Sequence, residues 1–271
     1  MKKIKADCHI HTKISPDSKE PLIEICKSAY EKGLTSIVVT NHFEYYTGKQ
    51  NGSKGWGIEY IENSLQEINE CKKEFKDNLE ILFGVEFGQA HYWPEEVKKL
   101  LETYSFDYII GSIHKIEDVD LKYGDYAKEN IEKQNKLYLD LLYAMASRGE
   151  YDCLGHFDLV KRYAANHNEK IDLMKNYERD IENILKIVIE RGKGIEVNTS
   201  GLRQASKELM PSIGIIELYK KLGGKIITIG SDAHKKEDVG SEIDSITALL
   251  KQLGFNELAI FKKRQPYFYG V

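Results

Sequence analysis

Histidine is the side chain that most often holds a transition metal or moves a proton near neutral pH. This chain carries eight: His9, His11, His42, His91, His114, His156, His167 and His234. In the triplet His9-Ile10-His11 an extended backbone puts both imidazoles on one face, able to grip one ion, and turns Cys8 to the other. Acids stand near the remaining histidines: Asp17 in a Ser-Pro-Asp-Ser turn, Glu86 after Gly84-Val85, and Asp232 two residues before His234. Imidazole with carboxylate suits Zn, Fe(II) or Mn, whereas carboxylates alone would suggest Mg or Ca. The histidines at 9, 11, 42, 114, 156 and 234, with Asp17, Glu86 and Asp232, are too many ligands for one tetrahedral ion. Two or three ions sharing a bridging carboxylate is the economical reading. Such a cluster makes hydroxide at neutral pH and clamps both oxygens of a displacement.

No single motif here is specific; their placement along the chain is what joins them. Short apolar runs alternate with longer amphipathic ones, predicting strands over residues 4–9, 35–40, 79–85, 106–112, 151–155, 194–198 and 225–230, with a short one at 258–261. Helices are predicted over 21–32, 58–77, 94–103, 126–147, 172–191, 211–222 and 241–253. Pro21 and Gly33 bracket the first helix, and Asp172 is a good N-cap for the fifth. Repeated strand–helix units argue for a parallel sheet. About seven units without a dinucleotide glycine fingerprint favour a closed β/α barrel over an open sheet. His9 and His11 follow the first strand, His42 the second, Glu86 the third, His114 the fourth, His156 the fifth, and Asp232 and His234 the seventh. In β/α barrels those strand ends converge on one mouth. His91 and His167 lack such a position and are read as structural.

The 271 residues, 41% hydrophobic and 30% charged, fit one domain spanning 1–271. A net charge of -4 without a strongly basic stretch argues against nucleic acid as a partner, although a small anionic substrate needs only a local basic pocket. The polar start and the absence of an apolar run near ~20 residues argue against a signal peptide and a membrane span. Cys8, Cys26, Cys71 and Cys153 form no CxxC pair, which suggests reduced thiols in a cytoplasmic protein.

Taken in order, Asp7-Cys-His9-Ile-His11, Ser15-Pro-Asp17-Ser, Thr40-Asn-His42, Gly84-Val-Glu86, Gly111-Ser-Ile-His114, Gly155-His156-Phe-Asp and Gly230-Ser-Asp232-Ala-His234 resemble the polymerase and histidinol phosphatase (PHP) family. The resemblance spans essentially the whole chain, and all nine metal-ligand positions of the family are filled. It implies a distorted seven-stranded β/α barrel, TIM-like and of PHP type, with a trinuclear Zn, Fe or Mn site. His9, His11, Glu86 and Asp232 would hold one ion; Glu86 as a bridge, with His114 and His156, the second; Asp17, His42 and His234 the third. Asn41 stands where the family usually has an acid, which implies altered hydrogen bonding around the ligands rather than lost metal.

Further stretches, Asn198 to Arg203, Gly155 to Arg162, Met210 to His234 and Phe261 to Pro266, resemble the branch that hydrolyses L-histidinol phosphate to L-histidinol and phosphate in histidine biosynthesis. On that reading a hydroxide bridging two ions attacks phosphorus in line. Arg162 and Arg203 are candidate phosphate clamps, because a guanidinium fork matches phosphate oxygens, with Lys161 a weaker one. Asp232 or His234 would handle the leaving-group proton. Glu44, with Tyr45 and Tyr46, would face the substrate's imidazole and ammonium groups. Three rivals are a PHP phosphoesterase acting on another small phosphate monoester, an amidohydrolase-type barrel, and a non-catalytic metal-binding or scaffold domain. The second has no reason to carry Asp17, Glu86 and His114 together, and the third tends to lose ligands.

Overall fold

The computed structural model describes residues 4–44 and 57–271. Its first half runs β1 (Ala6–Ile10), α1 (Leu22–Glu31), β2 (Ser36–Val39), β3 (His42–Phe43), α2 (Ile58–Glu74), β4 (Glu80–Gly88), α3 (Pro94–Thr103), β5 (Tyr108–Ser112), β6 (Lys115–Ile116), β7 (Val119–Asp120) and α4 (Ile131–Arg148). The second half runs β8 (Cys153–Leu154), α5 (Val160–Asn166), α6 (Leu173–Glu190), β9 (Gly194–Asn198), α7 (Ser200–Arg203), α8 (Ile213–Lys221), β10 (Ile227–Gly230), α9 (Ile243–Gln252), β11 (Glu257–Lys262) and β12 (Gln265–Gly270).

Seven strands pair in parallel in the order β1-β2-β4-β5-β8-β9-β10, with β3 beside the upper end of β4. The ring is nearly closed. Asp232 N donates to His9 O at 2.8 Å and His11 N to Ala233 O at 2.9 Å, tying β1 to the segment that leaves β10. This is the expected distorted β/α barrel. Outward residues such as Phe83, Val85 and Ile109 join one core with helical residues including Ile25, Ile68, Leu139 and Ile184. Each fully buried side chain of this kind contributes roughly 1.5–3 kcal/mol. Asp172 caps α6 as expected, its side chain accepting from Lys175 N.

A smaller cluster fills the lower barrel: Ala6, Cys8, Val38, Leu82, Tyr108, Ile110 and Cys153, plugged by Ala259, Ile260 and Phe261 of β11. Phe261 stacks on Tyr108 with ring centroids 5.1 Å apart. The expected strand at 258–261 is thus one arm of a hairpin whose second arm, β12, was not anticipated. Its Pro266 and Gly270 disfavour a strand locally, but pairing along its whole length with β11 overrides that preference.

One irregularity bears directly on the site. Asp7 pairs with Ile37 but Ile10 with Val39, so Cys8 and His9 together oppose the single Val38. This bulge breaks the alternation of sides. Cys8 therefore does not face away from the histidines, as simple alternation requires; it lies inside the barrel with Leu82 and Cys153, and His9 points inward too. Strand β4 also runs past the expected end at residue 85, so Glu86 is a strand residue in register with His42 of β3.

Candidate metal centre

All nine metal-type residues meet at the C-terminal mouth of the barrel, with Glu86 in their midst. Glu86 Oε2 lies 3.4 Å from His9 Nε2, 3.4 Å from His11 Nε2 and 3.0 Å from His42 Nδ1. Its Oε1 lies 2.8 Å from His156 Nε2, 3.1 Å from His114 Nε2 and 2.6 Å from Ser112 Oγ. Asp232 Oδ1 is 3.4 Å from His11 Nε2 and 3.7 Å from His9 Nε2. Asp17 Oδ2 sits between His42 Nε2 at 3.2 Å and His234 Nε2 at 3.1 Å.

The ligand atoms cluster as His9, His11 and Glu86; as Glu86, His114 and His156; as His11, Asp17, His42 and His234; and, overlapping these, as His42, Glu44 and His114. Two ligands about 2.1 Å from one tetrahedral ion lie about 3.4 Å from each other, which is the spacing found. The rings are also pre-set. His9 Nδ1 donates to Glu196 Oε1 at 2.6 Å, His114 Nδ1 to Glu44 Oε1, and His234 Nδ1 to the Asp232 carbonyl at 3.0 Å, while His11 Nδ1 meets Ser15 Oγ at 3.1 Å. With the proton on Nδ1, each Nε2 lone pair points into the shared space, the arrangement of ligating histidines. The donor set suits divalent transition metals.

Electrostatics agree. Burial, then the His234 and His42 charges, push His11 down to about 3, so it stands ready as a neutral ligand. Burial would also depress His114, but the Glu44 and Glu86 carboxylates outweigh it and raise the ring to about 10. Burial opposes ionisation of Glu86, yet His114, His9 and His42 hold it well below the usual carboxylate range. Two site residues have left-handed backbones, His156 at φ 23° and Asp232 at φ 53°. Such strain persists only where neighbours over-determine it; here Glu196 accepts from His156 N, and the His9 carbonyl from Asp232 N.

The candidate substrate residues divide. Arg162, on the unanticipated helix α5, lines the inner cavity with Nη1 3.7 Å from Asp232 Oδ2. Arg203, on α7, lines the outer cleft and is held by Ser231 O at 2.8 Å and Asp238 at 3.3 Å. Lys161 is corrected: one residue before Arg162 on the helix, its buried ammonium bonds Asp158 at 2.8 Å and the Leu209 carbonyl, beside a separate cleft. Glu44 reaches the cavity, but its oxygens are committed to His114 and to Lys115 Nζ at 2.7 Å, so it orients a ring rather than waiting for a substrate cation. Tyr45 and Tyr46 lie outside the described residues. His91 and His167 stand apart from the centre, against Tyr92 and Tyr126.

Replacing Lys161 by Met is accordingly expected to leave the substrate KM within twofold while costing about 3–5 kcal/mol, the usual result of stranding one member of a buried pair. Urea unfolding alongside steady-state kinetics checks both halves.

Sequence reasoning missed the residues that orient the ligands. Glu196 is fully buried in β9; a lone acid between Ile195 and Val197 was the available signal. Asp7 accepts from Ser231 N and Gly240 N, each at 2.8 Å, and so pins the chain that carries Asp232. Asn41, by contrast, was expected to alter the hydrogen bonding around the ligands: it accepts from Thr12 N and Ser15 Oγ and donates to Ser64 Oγ, which an acid could not do. It thereby fixes the hydroxyl that meets His11.

A nearly closed barrel of parallel strands with these donor groups at its C-terminal mouth defines the class: a β/α barrel built to take several metal ions. The PHP domain family matches residues 7–200. The histidinol-phosphatase of Lactococcus lactis subsp. lactis is 32% identical over 264 residues, covering 96% of this chain and 95% of that protein. A probable histidinol-phosphatase of Clostridium acetobutylicum is 31% identical over 265 residues, covering 96% and 98%. The crystal structure of histidinol phosphate phosphatase from Lactococcus lactis, complexed with zinc, L-histidinol and phosphate, superposes with a TM-score of 0.83 at 28% identity, over 97% of this chain and 98% of that one. The chain belongs to the PHP domain family.

Proposed function

We propose that this protein is a metal-dependent phosphatase that hydrolyses L-histidinol phosphate to L-histidinol and phosphate. The observation that carries the reading is the full-length match to histidinol-phosphatases, one of them complexed with zinc, L-histidinol and phosphate, in a chain whose own donor groups are complete. The ions held there, zinc being the first to try, would lower the pKa of water to near neutrality and neutralise phosphoryl charge. His9, His11, Glu86 and Asp232 would hold one, Glu86, His114 and His156 a second, and Asp17, His42 and His234 a third.

The remaining roles belong to the protein. Arg162, beside the donor cluster, supplies a cation for phosphoryl oxygens, and Arg203 supplies another at the rim. Asp232 or His234 would pass the leaving-group proton. The ring nitrogens of His234 meet the Asp232 carbonyl and Asp17, and Asp232 Oδ2 lies 3.7 Å from Arg162 and accepts from Ser200 Oγ at 3.2 Å. No helix among the described residues is long and apolar enough to cross a membrane. The four buried free thiols suit a reducing, cytoplasmic setting.

The test is phosphate release from a panel of phosphate monoesters, before and after chelation. L-Histidinol phosphate should be turned over selectively, chelation should abolish release, and zinc should restore it. No release from any ester by protein carrying two or more ions would sink the reading. Arg162→Ala is expected to lower kcat/KM for L-histidinol phosphate about 10–100-fold, the worth of one charge-assisted hydrogen bond. Arg203→Ala should act mainly on KM. Unchanged kcat/KM in both variants would remove these arginines from the site.

A further inference from the structure

We infer that Glu196 is a positioning residue that couples the loading of the two donor groups that share Glu86. The inference rests on reading those groups as ion sites. Glu196 lies in β9, and its Oε1 accepts from His9 Nδ1 at 2.6 Å. Its Oε2 accepts from the backbone N–H of His156 at 2.9 Å and from Asn198 Nδ2 at 3.2 Å. His9 and His156 belong to different donor groups, which share Glu86. One fully buried carboxylate therefore holds the side chain of a residue in one group and the main chain of a residue in the other.

Each contact has a distinct consequence. The bond from His9 fixes the tautomer: a proton on Nδ1 leaves the Nε2 lone pair facing Glu86 and Asp232. The bond from His156 N holds a residue whose φ of 23° few side chains adopt unaided. A carboxylate in a dry interior is costly unless its oxygens are hydrogen-bonded, and these partners meet that need. The fold also clears space for it. A Cβ on Gly230 would come within 2.2 Å of Glu196 Oε1. Asp17, His42 and His234 lean on one another, Asp17 Oδ2 standing 3.2 Å from His42 Nε2 and 3.1 Å from His234 Nε2.

A specific pattern follows. Neutralising Glu196 should weaken the two groups that meet at Glu86 and spare the one around Asp17. A role confined to folding would lower stability without singling out two ions of three.

The experiment titrates zinc into chelated wild-type, Glu196→Gln and Glu196→Asp proteins by calorimetry, with elemental analysis of the loaded forms and circular dichroism of the apo forms. Glu196→Gln should bind two ions about 10–100-fold more weakly, as losing a partner of metal ligands does, and keep one at wild-type affinity. Glu196→Asp, a methylene short of spanning both contacts, should fall between and serves as the readout should the Gln variant not fold. Wild-type affinities in the variants, or equal weakening of all three ions, overturn the inference. Wild-type protein that binds zinc but releases no phosphate from L-histidinol phosphate defeats the proposed function and leaves this inference standing; wild-type protein that binds no zinc defeats both.

Discussion

Glu86→Gln is expected to lower kcat/KM for L-histidinol phosphate at least a thousandfold, about 4 kcal/mol of transition-state stabilisation, and to leave no more than one ion bound. Both Glu86 oxygens are engaged, Oε2 by His9, His11 and His42, and Oε1 by His114 and His156. Among the described residues it is thus the only carboxylate common to two of the donor groups. Gln matches it in size but brings no charge, and its amide hydrogens would be aimed at imidazole lone pairs. The group around Asp17 keeps its own carboxylate, so one ion should survive. Elemental analysis with steady-state kinetics decides the matter. Full metal content with activity within tenfold of wild type would mean that Glu86 bridges nothing of consequence.

The second large effect comes from a residue without a side chain. A Cβ on Gly230 would stand 2.2 Å from Glu196 Oε1 and 2.4 Å from His9 Cβ, neither of them a flexible end able to swing clear. Gly230→Ala should therefore destabilise the protein by about 1–3 kcal/mol through overpacking. Because the displaced atoms are His9 and its partner, kcat/KM should also fall roughly 100-fold, the kind of loss a misplacement near 1 Å produces. Thermal unfolding and kinetics on one preparation test both. Gly33→Ala is a useful contrast: its φ of 72° makes a substitution strained, but nothing lies within 4 Å, so it should cost stability and spare activity. Equal activity losses in the two variants would show that the Gly230 effect is global rather than local to His9.

Much of this protein was legible in its sequence for a simple reason. The alternation of strand and helix is written in local hydrophobic periodicity, and in a parallel barrel every strand delivers its C-terminal end to one mouth. Reading His9, His42, Glu86, His114, His156 and Asp232 at strand ends was enough to gather them. What periodicity cannot encode is a contact between distant segments. Glu196 looked like any strand residue until the ring brought β9 beside β1 and set its carboxylate on His9. Lys161 and Arg162 were adjacent candidate cations, Lys161 the weaker, until helix α5 turned one toward Asp158 and the other toward Asp232.

The bulge in β1 makes the same point most sharply. Strict alternation would have hidden Cys8 from the interior, yet pairing with β2 slips by one residue and turns Cys8 and His9 inward together. The sequence by itself determined the inventory of metal-type residues and the fold class, because both follow from residue type and local period. Only the tertiary structure decided which nitrogen of each ring faces the cluster and which side chains orient it, because those depend on partners tens to hundreds of residues away.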